Sequence, residues 1–142
     1  MKPRPMPRNS GGSFLHRRIP SRLEAVDDTC REIRLLLVEN GLKDVCFAVD
    51  LLAREFMKNA VIHGNRGDAH KVVIITMRIG RKWICLHIAD EGPGFDWRRT
   101  RRTPPSATTV NGRGLPIGAL YAKRMSFNRR GNQVTLWINK QR

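Results

Sequence analysis

The run Arg54-Glu55-Phe56-Met57-Lys58-Asn59-Ala60-Val61-Ile62-His63-Gly64 sets a carboxylate, an amide and an imidazole four residues apart. Residues spaced i, i+4 share one face of a helix. Glu55, Asn59 and His63 therefore form a polar stripe within a segment otherwise rich in Val, Leu, Phe and Ala, where a plain amphipathic helix would place Lys and Arg. The stripe reads as a site at the end of a helix. That helix is expected to be capped by Asp44, to carry Val45, Ala48, Leu52 and Phe56 at helical spacing, and to stop at Gly64, Asn65 and Gly67.

Working outward, Pro20-Ser21 offers an earlier helix start, with Ser21 as N-cap, Glu24 at the capping-box position and Asn40-Gly41 as the stop. A short extended segment, residues 14–19, precedes it. Before that, Pro3, Pro5 and Pro7 alternate with charged or flexible residues and lead into Ser10-Gly11-Gly12, too little apolar surface to offset the entropy of ordering; a flexible basic arm is expected over 1–12, and one domain over 13–142. Beyond the stripe, two well-alternating strands, residues 72–79 and 83–89, are joined by a tight turn at Gly80-Arg81. A long basic loop over 97–111 leads to Gly112-Arg113-Gly114-Leu115-Pro116, which opens a third helix, and a final hairpin pairs 125–129 with 133–139 around Gly131-Asn132.

Alternation places Asp90 on the same side as Ile84, Leu86 and Ile88. If that side is the core, the carboxylate is partly buried and needs a donor. An adenine exocyclic amine would serve, with Gly92 and Gly94 letting the backbone pass close to a flat base; a strand-end Asp capping a Gly-Pro-Gly turn fits equally well. Gly112-Arg113-Gly114 before a helix is a phosphate-binding arrangement, because bare amides converge at the positive helix end and Arg113 adds a charge-assisted bond, although G-x-G is also a common tight turn. Asn59 offers a hard oxygen suited to Mg²⁺, and Glu55 can orient or deprotonate an attacking hydroxyl. The bland alternatives are a Glu55–Lys58 surface pair and a C-capping Asn59. His63 is read as a polar residue near the helix end.

The chain of 142 residues carries 27 Lys and Arg against 12 Asp and Glu, a net charge of +15, which draws polyanions without identifying them. A solvated basic surface with no dedicated ligand stays open. Cys30, Cys46 and Cys85 form no C-x-x-C pair and are expected to be reduced packing residues. The basic first residues lack the apolar run of a secretory signal, and no apolar stretch is long enough to cross a bilayer. A cytoplasmic protein that makes no use of a membrane is expected.

Order and spacing carry further than any single motif. A helix with E-x-x-x-N-A-x-x-H-G, a strand ending in D-x-G-x-G, a long loop and then G-x-G-L opening a helix together resemble the N, G1 and G2 boxes of the GHKL (Bergerat-type) ATPase superfamily, over roughly residues 43 to 139. Within it, residues 58–64 and the ending Asn128-Arg129-Arg130-Gly131-Asn132-Gln133-Val134-Thr135-Leu136 are similar to the bacterial anti-sigma factor serine/threonine kinases. Pro116 is closer to the related switch kinases that act on STAS-domain scaffolds, so the subclass stays open.

The resemblance implies an α+β fold, a two-layer sandwich whose mixed, mostly antiparallel sheet is covered on one face by helices. It also implies ATP and Mg²⁺ as cofactors. Glu55 would be the catalytic carboxylate, Asn59 the Mg²⁺ ligand, Asp90 the adenine reader, Gly92 and Gly94 the nucleotide loop, and Gly112, Arg113, Gly114 and Leu115 the phosphate-binding turn. The implied partners are a sigma factor and a STAS-domain antagonist, with a homodimer open. Two other readings compete: a catalytically inactive, nucleotide-gated binding module, and a basic nucleic-acid binder. The last is ranked third, because no recognised nucleic-acid motif or aromatic stacking platform is evident and aromatic content is only 6%.

Overall fold

A computed structural model describes residues 13–98, 118 and 120–141. The expectations for the arm over 1–12 and for the G-x-G-L turn and most of the basic loop fall outside the described residues. The elements run β1 (Phe14–Pro20), α1 (Leu23–Glu39), a 3₁₀ turn (Lys43–Val45), α2 (Cys46–Asn59), a π turn (Ala60–Gly64), β2 (Val72–Ile79), β3 (Trp83–Ala89), β4 (Arg124–Phe127) and β5 (Gln133–Asn139). The strands form one sheet in the order β1-β2-β3-β5-β4. Every pairing among the described residues is antiparallel, so the parallel component of a mixed sheet is not seen there.

Strict alternation decides the two faces of the sheet. Leu15 and Ile19 of β1, Val73, Ile75, Met77 and Ile79 of β2, Ile84, Leu86 and Ile88 of β3, and Val134, Leu136 and Ile138 of β5 are all buried on one side. Against them lie Val26, Cys30, Ile33 and Leu37 of α1 and Val49, Leu52, Ala53, Phe56 and Met57 of α2, at the three-and-four spacing of a helical stripe. The other side of the sheet has no helix among the described residues. The result is the two-layer α+β sandwich.

Polar pairs register the two helices side by side. Arg34 of α1 binds Asp50 of α2 at 2.9 Å, and Arg54 of α2 reaches back to Asp27 of α1. These pairs are partly solvated, and such pairs contribute only about 0–1 kcal/mol each, so they orient the helices while the apolar stripe holds them.

The helix starts differ from expectation. Ser21 does not cap α1: its hydroxyl donates to the Lys71 carbonyl at 2.7 Å, and the N-cap position belongs to Arg22, without a side-chain cap. Asp44 does not cap α2 either, because a 3₁₀ turn absorbs it and Val45 precedes the helix. In both places the connection to a neighbouring element outweighs local capping preference. The hairpins match the reading closely, with Gly80 N–H donating to the Trp83 carbonyl at 2.8 Å and Gly131 at φ +82° in the second turn.

All three cysteines are free thiols; Cys30 and Cys85 are buried and Cys46 is half-buried. Burial pushes the Cys30 and Cys85 thiols up from 9.0 to about 11. The folded protein thus favours the neutral thiols: this contribution to stability is complete below pH 9.0 and is lost as pH rises toward about 11. Thiol-labelling at mildly alkaline pH should therefore modify Cys46 in the native protein and the other two only after denaturation. Fast labelling of all three in the native state would contradict this packing.

Candidate functional site

The end of α2 is where sequence and packing part from a simple helix. The α-helix closes at Asn59, and the next turn is wider, with Asn65 N–H donating to the Ala60 carbonyl at 2.8 Å. Single π turns of this kind recur at functional sites. The extra residue per turn takes His63 off the stripe: Glu55 and Asn59 are half-buried and His63 is exposed. The three-residue stripe is thus a two-residue one.

The π turn delivers Gly64 and Asn65 against the end of β3. Gly64 faces Asp90 so closely that a Cβ on it would lie 2.6 Å from Asp90 Oδ1. Gly92 in turn packs on Gly64, where a Cβ would lie 2.6 Å from the Gly64 carbonyl carbon and 2.9 Å from Asp90 Oδ1. Asp90 Oδ1 accepts the Gly92 N–H at 2.7 Å, so the carboxylate is oriented by the loop that follows it.

Asn65, only 1% exposed, ties this corner together. Its amide donates to Ser21 Oγ and to the Val72 carbonyl, both at 2.9 Å, and its Oδ1 accepts the Glu91 N–H at 2.8 Å. Glu91 Oε2 accepts the Val72 N–H at 2.7 Å. The sequence showed Asn65 only as a helix terminator; nothing local marks an asparagine whose partners lie up to 44 residues away.

The β4–β5 turn supplies the third wall. Asn128 Oδ1 accepts the N–H groups of Gly131, Asn132 and Gln133 at 2.9, 3.0 and 3.0 Å, and Asn128 Nδ2 donates to Asn132 Oδ1 at 2.7 Å. The turn then grips the glycine loop: Asp90 N–H donates to the Asn132 carbonyl at 2.9 Å, and Asn132 Nδ2 to the Gly92 carbonyl at 3.2 Å. Backbone meets backbone here. A Cβ on Gly94, at φ +81°, would lie 2.6 Å from the Arg130 carbonyl carbon, and one on Gly131 would lie 2.9 Å from Phe95 N. Aromatic rings lock the contact from outside: Phe95 meets Phe127 edge-on at 5.3 Å, Trp97 stacks on Phe127 at 5.7 Å, and Trp97 Nε1 donates to the Asn128 carbonyl at 2.9 Å.

These walls line a narrow cleft, open to solvent, with a cavity volume of about 30 Å³. Phe56, Ala60, Ile88, Phe95, Phe127 and Val134 give it apolar sides, and Asn59 and Asp90 supply polar groups. Asn59 Nδ2 is buried without a hydrogen-bond partner. An orphaned buried amide is costly and rare in folded proteins. An exocyclic amine of a flat base would donate to the Asp90 carboxylate and a polyphosphate oxygen would accept from Asn59 Nδ2, so the chemistry of these two side chains is compatible with a purine nucleotide.

Of the residues singled out from sequence, Asn59 and Asp90 meet in the cleft, while Gly92 and Gly94 build its loop. Glu55 stands one turn back on α2, outside the cleft lining. Gly112, Arg113, Gly114 and Leu115 lie outside the described residues. No group of three His, Cys, Asp or Glu converges among the described residues; Asn59 Oδ1 is a hard oxygen that could hold a Mg²⁺ ion beside a substrate phosphate. No helix among them is long and apolar enough to cross a membrane.

The family profile of the histidine kinase-like ATPase domain matches residues 19–138. The chain is also similar to a serine/threonine-protein kinase, BtrW, of Bordetella bronchiseptica, with 30% identity over 97 residues that cover 63% of this chain and 68% of that protein.

Proposed function

Because the chain belongs to the histidine kinase-like ATPase domain family, we propose that it is an ATP-dependent protein serine/threonine kinase that acts as an anti-sigma regulatory factor. In this reading it binds a sigma factor and phosphorylates a STAS-domain antagonist in the cytoplasm. Likeness to a serine/threonine-protein kinase supports the reaction class, and the motif resemblance supports the partners. The observation that carries nucleotide binding is the buried, unpartnered Asn59 amide lining the same cleft as Asp90.

Each residue then has a task. Asp90, held by the Gly92 N–H, accepts from the exocyclic amine of adenine and rejects a base that presents an acceptor there. Phe56, Ile88 and Val134 exclude water from the faces of the base. Asn59 Oδ1 would hold Mg²⁺, which when bound would supply charge neutralisation for the transferring phosphoryl group. Gly112, Gly114 and Leu115 offer backbone N–H groups to phosphate, and Arg113 offers its guanidinium. Glu55 orients the attacking serine or threonine hydroxyl and receives its proton.

Asn59→Ala and Asp90→Asn should each weaken Mg·ATP binding by about 1.5–3 kcal/mol, the usual cost of a hydrogen bond to a charged group, or roughly 10- to 150-fold. Calorimetric titration measures this directly. Unchanged titration curves for both variants would overturn the nucleotide assignment. Incubating the wild-type protein and Mg·ATP with a candidate STAS protein, followed by mass spectrometry, tests the transfer itself.

A further inference from the structure

The sheet face turned away from the helices is not bland. Register places Phe14, Arg78, Cys85, Trp137 and Arg124 in one transverse row across all five strands, and His16, Thr76, His87, Thr135 and Ser126 in the next. In the first row the guanidinium of Arg78 lies over the Phe14 ring at 4.7 Å, and that of Arg124 over the Trp137 ring at 5.1 Å. In the second row His16 Nδ1 and Thr76 Oγ1 are 2.9 Å apart and His87 Nδ1 and Thr135 Oγ1 3.0 Å. Phe14 is 43% exposed and Trp83, beside the exposed Arg81 and Lys82, is 36% exposed.

Charge on this face has one sign. Arg18, Arg78 and Arg124 share it, and no Asp or Glu stands on it among the described residues. Arg78 Nε is buried without an acceptor. A guanidinium stacked on a ring is held flat by the ring face and keeps the planar fork of N–H donors that matches phosphate. Arg78 and Arg124 stand three strands apart, about 14 Å at the usual strand spacing, which suits two separated phosphates of one extended strand. A second copy of this face would oppose arginine to arginine with no carboxylate to offset them. A merely acidic partner would leave the aromatic rings without a role.

We propose that the open face of the sheet, through Arg78, Arg124, Phe14, Trp83 and Trp137, binds single-stranded nucleic acid. Bases stack on the rings and guanidinium planes, and the arginines with the basic turn at Arg81-Lys82 hold the backbone. Aromatics on an exposed sheet are a known solution for stacking unpaired bases. The face lies across the sheet from the nucleotide cleft, so the proposal stands apart from the kinase reading.

The test is fluorescence anisotropy with a labelled mixed-sequence single strand of about 12 nucleotides, within the site size of a sheet-based single-strand binder, at several salt concentrations. The wild-type protein should bind with an affinity that falls with salt. Arg78→Gln/Arg124→Gln should weaken binding and reduce the slope of log K against log salt by about 1.4, from roughly 0.7 per phosphate contact on a single strand. Trp83→Ala should weaken it about 5- to 150-fold. Arg78→Lys, which keeps charge but loses the planar stack, should fall between wild type and Gln. Circular dichroism spectra and melting temperatures equal to those of the wild type certify that each variant is folded. Four results would overturn the proposal: no binding by the wild type, equal binding by all variants, displacement of the strand by polyglutamate together with a silent Trp83→Ala, or a dimer that the double variant abolishes. The third would point to an acidic protein and the fourth to a second copy.

Discussion

Glu55→Gln should leave Mg·ATP affinity unchanged and lower phosphate transfer to a STAS-domain substrate by about 10²- to 10⁴-fold. The substitution keeps the size and one acceptor oxygen of the half-buried side chain and removes its capacity to take a proton. Because the transition state of phosphoryl transfer is loose, little proton movement is required early, which places the effect nearer 10²-fold. Single-turnover transfer measured beside calorimetric binding separates the two quantities. Glu55 stands a turn back from the cleft-lining residues, so the experiment decides between two readings. Transfer that survives the substitution undiminished removes Glu55 from the chemistry, and a wild-type protein that binds ATP but transfers nothing is a nucleotide-gated binding module.

Gly92→Ala should abolish detectable nucleotide binding, a loss of at least about 10²-fold, while leaving the sheet and helices formed. The methyl group would run into the Gly64 backbone, with the carbonyl carbon at 2.6 Å, and into the Asp90 carboxylate at 2.9 Å. Neither neighbour can give way freely. Gly64 is fixed in the π turn, and Asp90 is fixed by the Asn132 carbonyl and by Gly92 itself. Relief comes only by moving the loop, which carries Asp90 off the base. Overpacking of this kind costs about 1–3 kcal/mol of stability, within what a domain tolerates. Gly41→Ala is the matched control: it also lies outside a strand, has φ +70° and has nothing within 4 Å of its Cβ position, so it should cost about 1–2 kcal/mol and leave ATP affinity unchanged. Equal loss of binding in both variants would mean that general destabilisation, not loop geometry, is at work.

Much of this arrangement is legible in the chain. Alternation alone gives the limits of β2 and β3, and Gly80 and Gly131 mark the hairpins. Asp90 follows Ile88 onto the helix-facing side, where it lines the cleft with Asn59. What the chain conceals depends on partners far along it. Ser21 has the composition of a cap but spends its hydroxyl on Lys71, 50 residues away. The π turn inserts one residue per turn without altering residue type, so the i, i+4 stripe overruns to His63. An aromatic content of 6% suggested no stacking platform; averaged over a chain, it cannot show that Phe14 and Trp137 fall in one row, which only the strand register reveals.

That register also has a temporal consequence. Strand β5 follows β4 in the chain but sits between β4 and β3, and the turn before it supplies the Asn132 carbonyl that holds Asp90. During synthesis, the first three strands and both helices can leave the ribosome and pair, yet the fourth place in the sheet stays empty until residues 133–139 emerge. A growing polypeptide should therefore be unable to retain the purine until that late moment, and translation arrest just upstream of Gln133 should yield a nascent chain with a partial core and no ligand retention.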